Sequence, residues 1–187
     1  MKSADQEKEE LSLDKILNRL REEYWKSIIE PEEKVSKERV ELFTFWLGEE
    51  RYGMDLALGR HLLKMPKIVK LPQVPEYLLG VFNLRGEIVA VLDLRRLFGM
   101  KISPQTENSR LLVAEAKGVV IALYLDRIGD IMIYDLKGLQ AISGEETGVP
   151  AQYLKGYFPA DGEAGKMLIY LDLEQLLGSE KLVSFSR

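Results

Sequence analysis

The sequence of 187 residues has no cysteine and one histidine, His61. Without cysteine it can form neither a disulfide nor a thiolate nucleophile, which fits a reducing cytoplasm. Zinc sites of the usual kinds need several cysteine or histidine ligands, so a single histidine argues against them. A Ser-His-Asp triad would have to use His61, and no serine lies in a Gly-x-Ser-x-Gly elbow. We therefore expect no catalytic residues, no metal site and no enzyme activity.

Features that bind phosphate, membranes or nucleic acid are also missing. Neither Gly-x-x-x-x-Gly-Lys nor Gly-x-Gly-x-x-Gly occurs, so no cofactor is expected. The longest wholly apolar run is Val119 to Leu125, whereas a membrane-spanning helix needs about 20 residues. The first ten residues are too polar for a secretory signal. Basic residues are not interleaved with aromatic ones, which argues against nucleic-acid binding. We expect a cytoplasmic protein without direct membrane insertion.

Most of the negative charge lies at the front of the chain. Residues 1–41 contain nine Lys and Arg against twelve Asp and Glu, and residues 42–187 contain 17 against 18. A nearly neutral body has no general attraction for phosphate groups. Apolar residues make up 46% of the chain, which is enough for a core in one or two small domains.

Residues 1–40 are predicted to form an extension with a disordered start, an amphipathic helix over 11–29 and a charged linker. Apolar residues in this helix recur at three- and four-residue steps, at Leu13, Ile16, Leu17, Leu20, Tyr24 and Ile28. Pro31 ends the pattern. The stripe fits either a helix that packs on its own domain or a docking helix for a partner, and Trp25 does not decide between them.

The rest of the chain contains an internal sequence repeat. Residues Tyr77 to Gly99 and Tyr153 to Gly178 both begin with Tyr-Leu-x-Gly-x-Phe, and both end with Asp-Leu-x-x-Leu-x-Gly. An internal repeat of this length predicts two structural units of one kind. The succession of β-prone stretches and turn residues favours two β-rich halves, 42–100 and 108–180. Each half is expected to have about five short strands and a short helix, and a tail over 181–187 follows.

The repeat also predicts which residues shape the turns and helix ends. Asp93 and Asp172 are expected to be N-caps, because a carboxylate can accept backbone N–H groups of a first helical turn. Their identical context favours this role over a pair of catalytic carboxylates. Gly86 is expected to supply a positive φ. Structural roles in caps and turns are predicted for Gly80, Asp93, Gly99, Gly156, Asp172 and Gly178.

Residues 77–99 resemble the CheW-like adaptor domain of bacterial chemotaxis signalling. The resemblance rests on Gly80, on Asn83-Leu84-Arg85-Gly86 and on Asp93-Leu94-Arg95-Arg96, with support from Tyr52-Gly53-Met54-Asp55, Leu125-Asp126 to Asp130-Ile131 and Lys166-Met167-Leu168-Ile169. It extends over about residues 41–178, within a predicted domain of 41–180.

The resemblance implies a mainly β fold of two SH3-like five-stranded barrels side by side, with short capping helices and the amphipathic N-terminal helix in addition. It also implies a scaffold that couples the regulatory domain of a CheA-type histidine kinase to the cytoplasmic tip of a chemoreceptor. Flagellar chemotaxis and another chemosensory pathway both remain open, as does self-association. The alternative is an SH3-like module for protein interaction or oligomerisation without a kinase partner.

Family position implies a set of partner-binding residues: Gly59, Arg60, His61, Leu62, Ile68, Val69, Asn83, Leu84, Arg85 and Gly86. The sequence departs from the family at His61, where many relatives have a glutamate that pairs with the arginine at the position of Arg85. Arg85 could instead meet Asp55, Glu76, Glu87 or an acidic group on a partner.

Overall fold

The computed structural model describes residues 38–142, 147–160, 165–179 and 182. The predicted helix over 11–29, its linker and nearly all of the tail 181–187 lie outside these residues. No helix in the described part is long and apolar enough to cross a membrane. The described residues include ten strands and two short α-helices: β1 Arg39–Leu47, β2 Glu50–Asp55, β3 Gly59–Lys64, β4 Leu78–Leu84, β5 Glu87–Leu92, α1 Leu94–Leu97, β6 Arg110–Ala116, β7 Val119–Leu125, β8 Arg127–Asp135, β9 Leu154–Phe158, β10 Leu168–Leu171 and α2 Leu173–Leu177.

The strands form two five-stranded sheets. Sheet A has the strand order β8-β1-β2-β10-β9, and sheet B has the order β3-β6-β7-β5-β4. Each sheet contains one parallel pair, β10 with β2 and β5 with β7, and its other neighbouring strands are antiparallel. The mainly β architecture with two five-stranded sheets therefore agrees with the prediction.

The sheets do not follow the predicted halves 42–100 and 108–180. Sheet B is built from one continuous segment, 59–125, whereas sheet A combines β1 and β2 with the three strands that follow residue 126. The two hairpins β1–β2 and β6–β7 have thus exchanged places between the repeats. The prediction of two subdomains that follow one another in sequence is therefore wrong, because sheet A takes strands from both ends of the described chain. The predicted number of five strands in each unit agrees with the structure.

In each sheet, one short backbone bridge connects the two outer sides of the sheet. In sheet B, Val69 and Val81 exchange backbone hydrogen bonds of 2.8 and 2.9 Å, which joins the segment after β3 to β4. In sheet A, Gln140 and Tyr157 exchange two bonds of 2.9 Å in the same way. The continuous ladders themselves do not close into barrels.

The repeated glycines lie at these two bridges. Gly80 and Gly156 have φ values of 139° and 142°, and a Cβ would lie 2.2 Å from the Val69 carbonyl oxygen and 2.4 Å from that of Gln140. Both glycines lie inside strands β4 and β9, so the prediction of a cap or turn is wrong for them. They are needed because the crossing backbone comes too close for a side chain.

Both faces of the sheets are buried over much of their area. Alternate residues of β6 show this, since Leu111 and Val113 join a cluster within sheet B while Leu112 and Ala114 join a larger cluster shared with sheet A. A strand buried on both faces reads as a continuous apolar run. The larger cluster also includes Leu residues of α1 and α2, so it holds the two sheets and both helices together.

The two short helices begin in equivalent ways. The Asp93 carboxylate accepts the backbone N–H of Arg95 at 3.0 Å, and the Asp172 carboxylate accepts that of Gln175 at 3.0 Å. Gly99 follows α1 with a φ of 68°, whereas Gly178 follows α2 with a φ of −80° and needs no left-handed conformation.

Candidate partner-binding surface

The ten residues expected to bind partners all lie on sheet B. Gly59, Arg60, His61 and Leu62 belong to β3, Ile68 and Val69 to the segment that bridges β4, and residues 83–86 to the end of β4 and its turn. Arg60, His61 and Leu62 are exposed. Ile68 and Leu84 pack against the core of sheet B, so packing already accounts for part of their presence.

Arg85 and Gly86 form the tip of the β4–β5 hairpin. Leu84 pairs with Glu87, which leaves a two-residue turn in which both residues have positive φ, 54° and 99°. The Asn83 side-chain oxygen accepts the Gly86 backbone N–H at 2.8 Å and stabilises this turn. Positive φ at both central positions is typical of a type I′ turn, where Asn and Gly are the favoured residues. An arginine at the first position is therefore unusual.

The side chain of Arg85 is exposed and forms no ion pair within the described part of the chain. Two of the carboxylates considered for it have other partners. Asp55 binds Lys155 at 2.8 Å, and Glu76 lies 4.0 Å from Arg96. The guanidinium of Arg85 is thus available to an external acceptor.

Several exposed apolar side chains lie outside the expected set. Ile131 and Ile133 on β8 are 59% and 62% exposed. Beside sheet B, the exposed Leu71, Ile88 and Val120 and the half-buried Val81 line a surface groove of about 420 Å³. Sequence reasoning missed these residues because an isoleucine in a strand is ordinarily assigned to a core. Contiguous exposed apolar surface is a mark of protein interaction sites.

Other residues that carry the family resemblance lie in a buried ionic network. The Arg95 side chain is 4% exposed, and it donates to the Asp93 carboxylate at 2.9 and 2.8 Å and also to Asp126. Its guanidinium lies 4.2 Å from the ring centre of Tyr124, and it donates to Ser103 at 3.1 Å. Burial by itself would lower the pKa of Arg95, but the hydrogen bonds and charges of Asp93 and Asp126 raise it.

Asp126 connects this network to the other sheet. Its carboxylate accepts the backbone N–H of Gly48, in the β1–β2 turn of sheet A, at 2.6 Å. Its own backbone N–H donates to the Trp46 carbonyl at 3.1 Å. Asp126 lies where the chain leaves sheet B for sheet A, so these bonds join α1 and the two sheets at one point. The geometry gives this set a structural role rather than a binding role.

Two tyrosine hydroxyls are bonded to carboxylates inside sheet A. Tyr170 donates to Asp55 at 2.7 Å, and Tyr52 donates to Glu50 at 2.6 Å. Burial raises the pKa of both phenols well above the usual value, and the adjacent carboxylates raise it further. Both hydroxyls therefore stay protonated in the folded protein and act as hydrogen-bond donors.

The fold and the surface together define a β-rich interaction module with exposed apolar and cationic groups. A family model described as the CheW-like domain matches residues 41–181. The chain belongs to this CheW-like family. Since the match includes nearly all of the described strands and helices, the family assignment applies to both sheets.

Individual relatives are similar to the chain over most of its length. The chemotaxis protein CheW of Klebsiella aerogenes is 30% identical over 142 residues, which cover 76% of this chain and 84% of that protein. The chemotaxis protein CheW of Treponema pallidum is 28% identical over 152 residues, which cover 79% and 88%. The crystal structure of the scaffolding protein TtCheW from Thermoanaerobacter tengcongensis superposes with a TM-score of 0.66 at 26% identity and covers 76% of this chain and 94% of that one.

Proposed function

We propose that this protein is a non-enzymatic coupling adaptor of bacterial chemotaxis or a related chemosensory pathway. The observation that carries the proposal is the CheW-like match over residues 41–181. In addition, the alignments with the two CheW proteins described above cover more than four fifths of each of those proteins. A scaffold needs surfaces that other proteins can bind, and the exposed residues of sheet B supply one.

In this role the protein binds the regulatory domain of a CheA-type histidine kinase and the cytoplasmic tip of a chemoreceptor. The two sheets, each drawn together by its bridge, act as a pair of incompletely closed SH3-like barrels in the cytoplasm. The ten residues of β3, its bridge and the β4–β5 turn contribute to partner binding, with Arg85 as the central cation. Two features support the assignment of Arg85: the side chain is exposed, and it has no ion pair in the described residues.

The backbone of Arg85 does not favour an arginine at this position. A non-glycine residue at a φ of 54° costs about 1 kcal/mol relative to a relaxed conformation, and Asn or Gly would cost less. Lys117 has a similar φ of 50°, so the strain does not by itself mark a functional position, and the assignment of Arg85 depends on its place among the ten residues that family position implies. We therefore expect that Arg85 contributes to binding rather than to stability.

The test is a calorimetric titration of the full chain with the kinase regulatory domain and with a soluble receptor tip from the same genome. The Arg85→Asn variant should unfold at the same or a slightly higher denaturant concentration, and it should lose affinity for at least one partner by about tenfold. Lys117→Asn is the matched control, because Lys117 is the first residue of the β6–β7 turn, is exposed and has a φ of 50°.

Binding of both partners by the wild-type chain, with loss in Arg85→Asn only, would support the proposal. Absence of binding to either partner would refute kinase coupling and favour an interaction module of another pathway. If wild type and Arg85→Asn bind both partners with equal affinity, the adaptor function stands, but Arg85 is not part of the partner-binding surface.

A further inference from the structure

We propose that residues 60–71 form a docking edge for an acidic segment of a partner protein that also carries apolar side chains. The inference rests on the proposed function and specifies the chemistry of the partner. The docking edge consists of the end of β3 and the segment that continues past the Val69–Val81 bridge to Leu71.

The docking edge carries positive charge only. Arg60, Lys64, Lys67 and Lys70 are all exposed, and residues 60–71 contain no aspartate or glutamate. The body of the protein is nearly neutral, so this concentration of one sign is local rather than a property of the whole chain. A local patch of one sign attracts a segment of the opposite sign and sets its orientation.

The protein neutralises little of this charge itself. Arg60 binds Glu115 at 3.0 Å, but Lys64, Lys67 and Lys70 form no ion pair with any residue in the described ranges. Lys64 also lies directly opposite Arg110 in the β3–β6 ladder. Like charges in directly opposed positions destabilise a sheet. An acidic segment of a partner would reduce the repulsion between Lys64 and Arg110. Binding of such a segment would therefore explain why two cations lie opposite each other.

Apolar side chains alternate with these cations. Leu62, Val69 and Leu71 are 43%, 55% and 42% exposed. The two backbone hydrogen bonds between Val69 and Val81 hold this segment against β4, so the surface is formed before a partner arrives. A preformed surface with apolar groups and a charged rim fits an amphipathic segment, because little ordering is needed on binding.

The equivalent edge of sheet A carries charges of both signs. β8 occupies the place in sheet A that β3 occupies in sheet B, and it contains Arg127 as well as Asp130 and Asp135 beside the exposed Ile131 and Ile133. An acidic segment is not attracted there as it is to the docking edge, so charge favours one of two similar apolar edges. The β8 edge of a second copy could also meet the docking edge, but with one arginine and two aspartates it is a weak complement to four cations. Charge therefore favours a different protein as the occupant.

The experiment uses the full chain and two synthetic amphipathic peptides with the same leucine pattern, one with glutamate and one with glutamine at the polar positions. Titration calorimetry should show that the glutamate peptide binds about tenfold tighter or more, with a preference that falls as salt is raised. The variant Lys64→Glu/Lys67→Glu should lose this preference. Lys101→Glu/Lys117→Glu changes the net charge equally at exposed positions elsewhere and should retain it.

Equal affinity for the two peptides, no binding of either, or the same loss in both variants would overturn the inference. Sedimentation is measured in parallel, and a dimer that disappears only in Lys64→Glu/Lys67→Glu would show a second copy as the occupant and would also overturn it. Kinase and receptor titrations separate the two proposals. If the wild-type chain binds both partners and Lys64→Glu/Lys67→Glu binds them equally well, the inference fails and the adaptor function remains.

Discussion

Two buried phenols make the stability of the protein sensitive to alkaline pH at the scale of single residues. Tyr52 and Tyr170 each donate to a carboxylate, and the pKa of each is raised in the folded state by burial and by that carboxylate. Deprotonation would remove the donor and place two negative charges side by side. The folded protein therefore holds these protons more tightly than the unfolded chain does.

The consequence is a loss of stability above about pH 10, the ordinary pKa of a tyrosine. The folded-state pKa is raised, so the contribution is fully present below the unfolded pKa and is lost as the pH rises above it. We expect Tyr170→Phe to make the fall in melting temperature between about pH 8 and about pH 11 less steep. Tyr157→Phe, which removes a hydroxyl bonded to the exposed Gln140 side chain, is the control. Identical slopes for wild type and Tyr170→Phe would contradict this role of the phenol.

Single residues also show how far the sequence predicts local chemistry. The positive φ of Gly86 and the carboxylate caps at Asp93 and Asp172 depend on neighbours within three residues, and such features can be read from a sequence. The bond between Arg95 and Asp126 joins residues 31 positions apart. No local pattern links these two residues, so the buried network lies outside the reach of sequence reasoning.

Two strands, β4 and β9, carry the glycines that let each sheet bend back toward its outer strand. At Gly80 a Cβ would overlap the Val69 carbonyl. Gly99 also has a positive φ, 68°, but a Cβ there would meet open space, with no atom beyond its chain neighbours within 4 Å. The two positions therefore share backbone strain and differ in the space that surrounds them.

We expect Gly80→Ala to lower the free energy of unfolding by about 3 kcal/mol, because the bridge to Val69 has to open. Gly99→Ala should cost only about 1 kcal/mol, the strain of a left-handed backbone. Urea unfolding measures both losses, and hydrogen exchange at the Val69 and Val81 amides should quicken in Gly80→Ala alone. Similar losses in the two variants would show that the bridge contributes little.

The pattern of β-prone residues predicts most of the strands, but it does not predict which strands pair with one another. The stretch from Leu58 to Met65 is ambiguous by periodicity, and most of it becomes β3 because it pairs with β6. The exchange of hairpins between the repeats cannot be foreseen, since β1–β2 and β6–β7 have the same apolar, β-prone character. Either hairpin fits either sheet by pattern, and tertiary packing decides between them.

The whole molecule from β1 onward behaves as one structural unit because its two sheets share a core and are joined at Asp126. The shared cluster takes Phe45 and Ile169 from sheet A and Leu112 and Leu123 from sheet B. Asp126 adds a polar junction between Arg95 and the Gly48 amide. Neither sheet can separate from the other without exposing that cluster to water.

Asp126→Asn should lower the free energy of unfolding by about 2 kcal/mol, because it weakens the bonds to Arg95 and to the Gly48 amide while Asp93 still pairs with the guanidinium. Unfolding should remain a single transition, since the apolar cluster still couples the sheets. Denaturant unfolding followed by tryptophan fluorescence and by circular dichroism would report both quantities. Asp130→Asn, at an exposed position on β8, is the control and should change stability by less than about 0.5 kcal/mol. Two separate transitions would contradict a core shared by the sheets.

The order of strands in sheet A has a consequence for the nascent chain on the ribosome. The β1–β2 hairpin is made first, but its neighbours β8 and β10 are made only after the whole of sheet B. A lone hairpin is marginally stable in water, so β1 and β2 have to wait while residues 59–125 fold. The middle of the chain is thus completed before its front, and translation has to reach β10 before the earliest strands gain both of their neighbours.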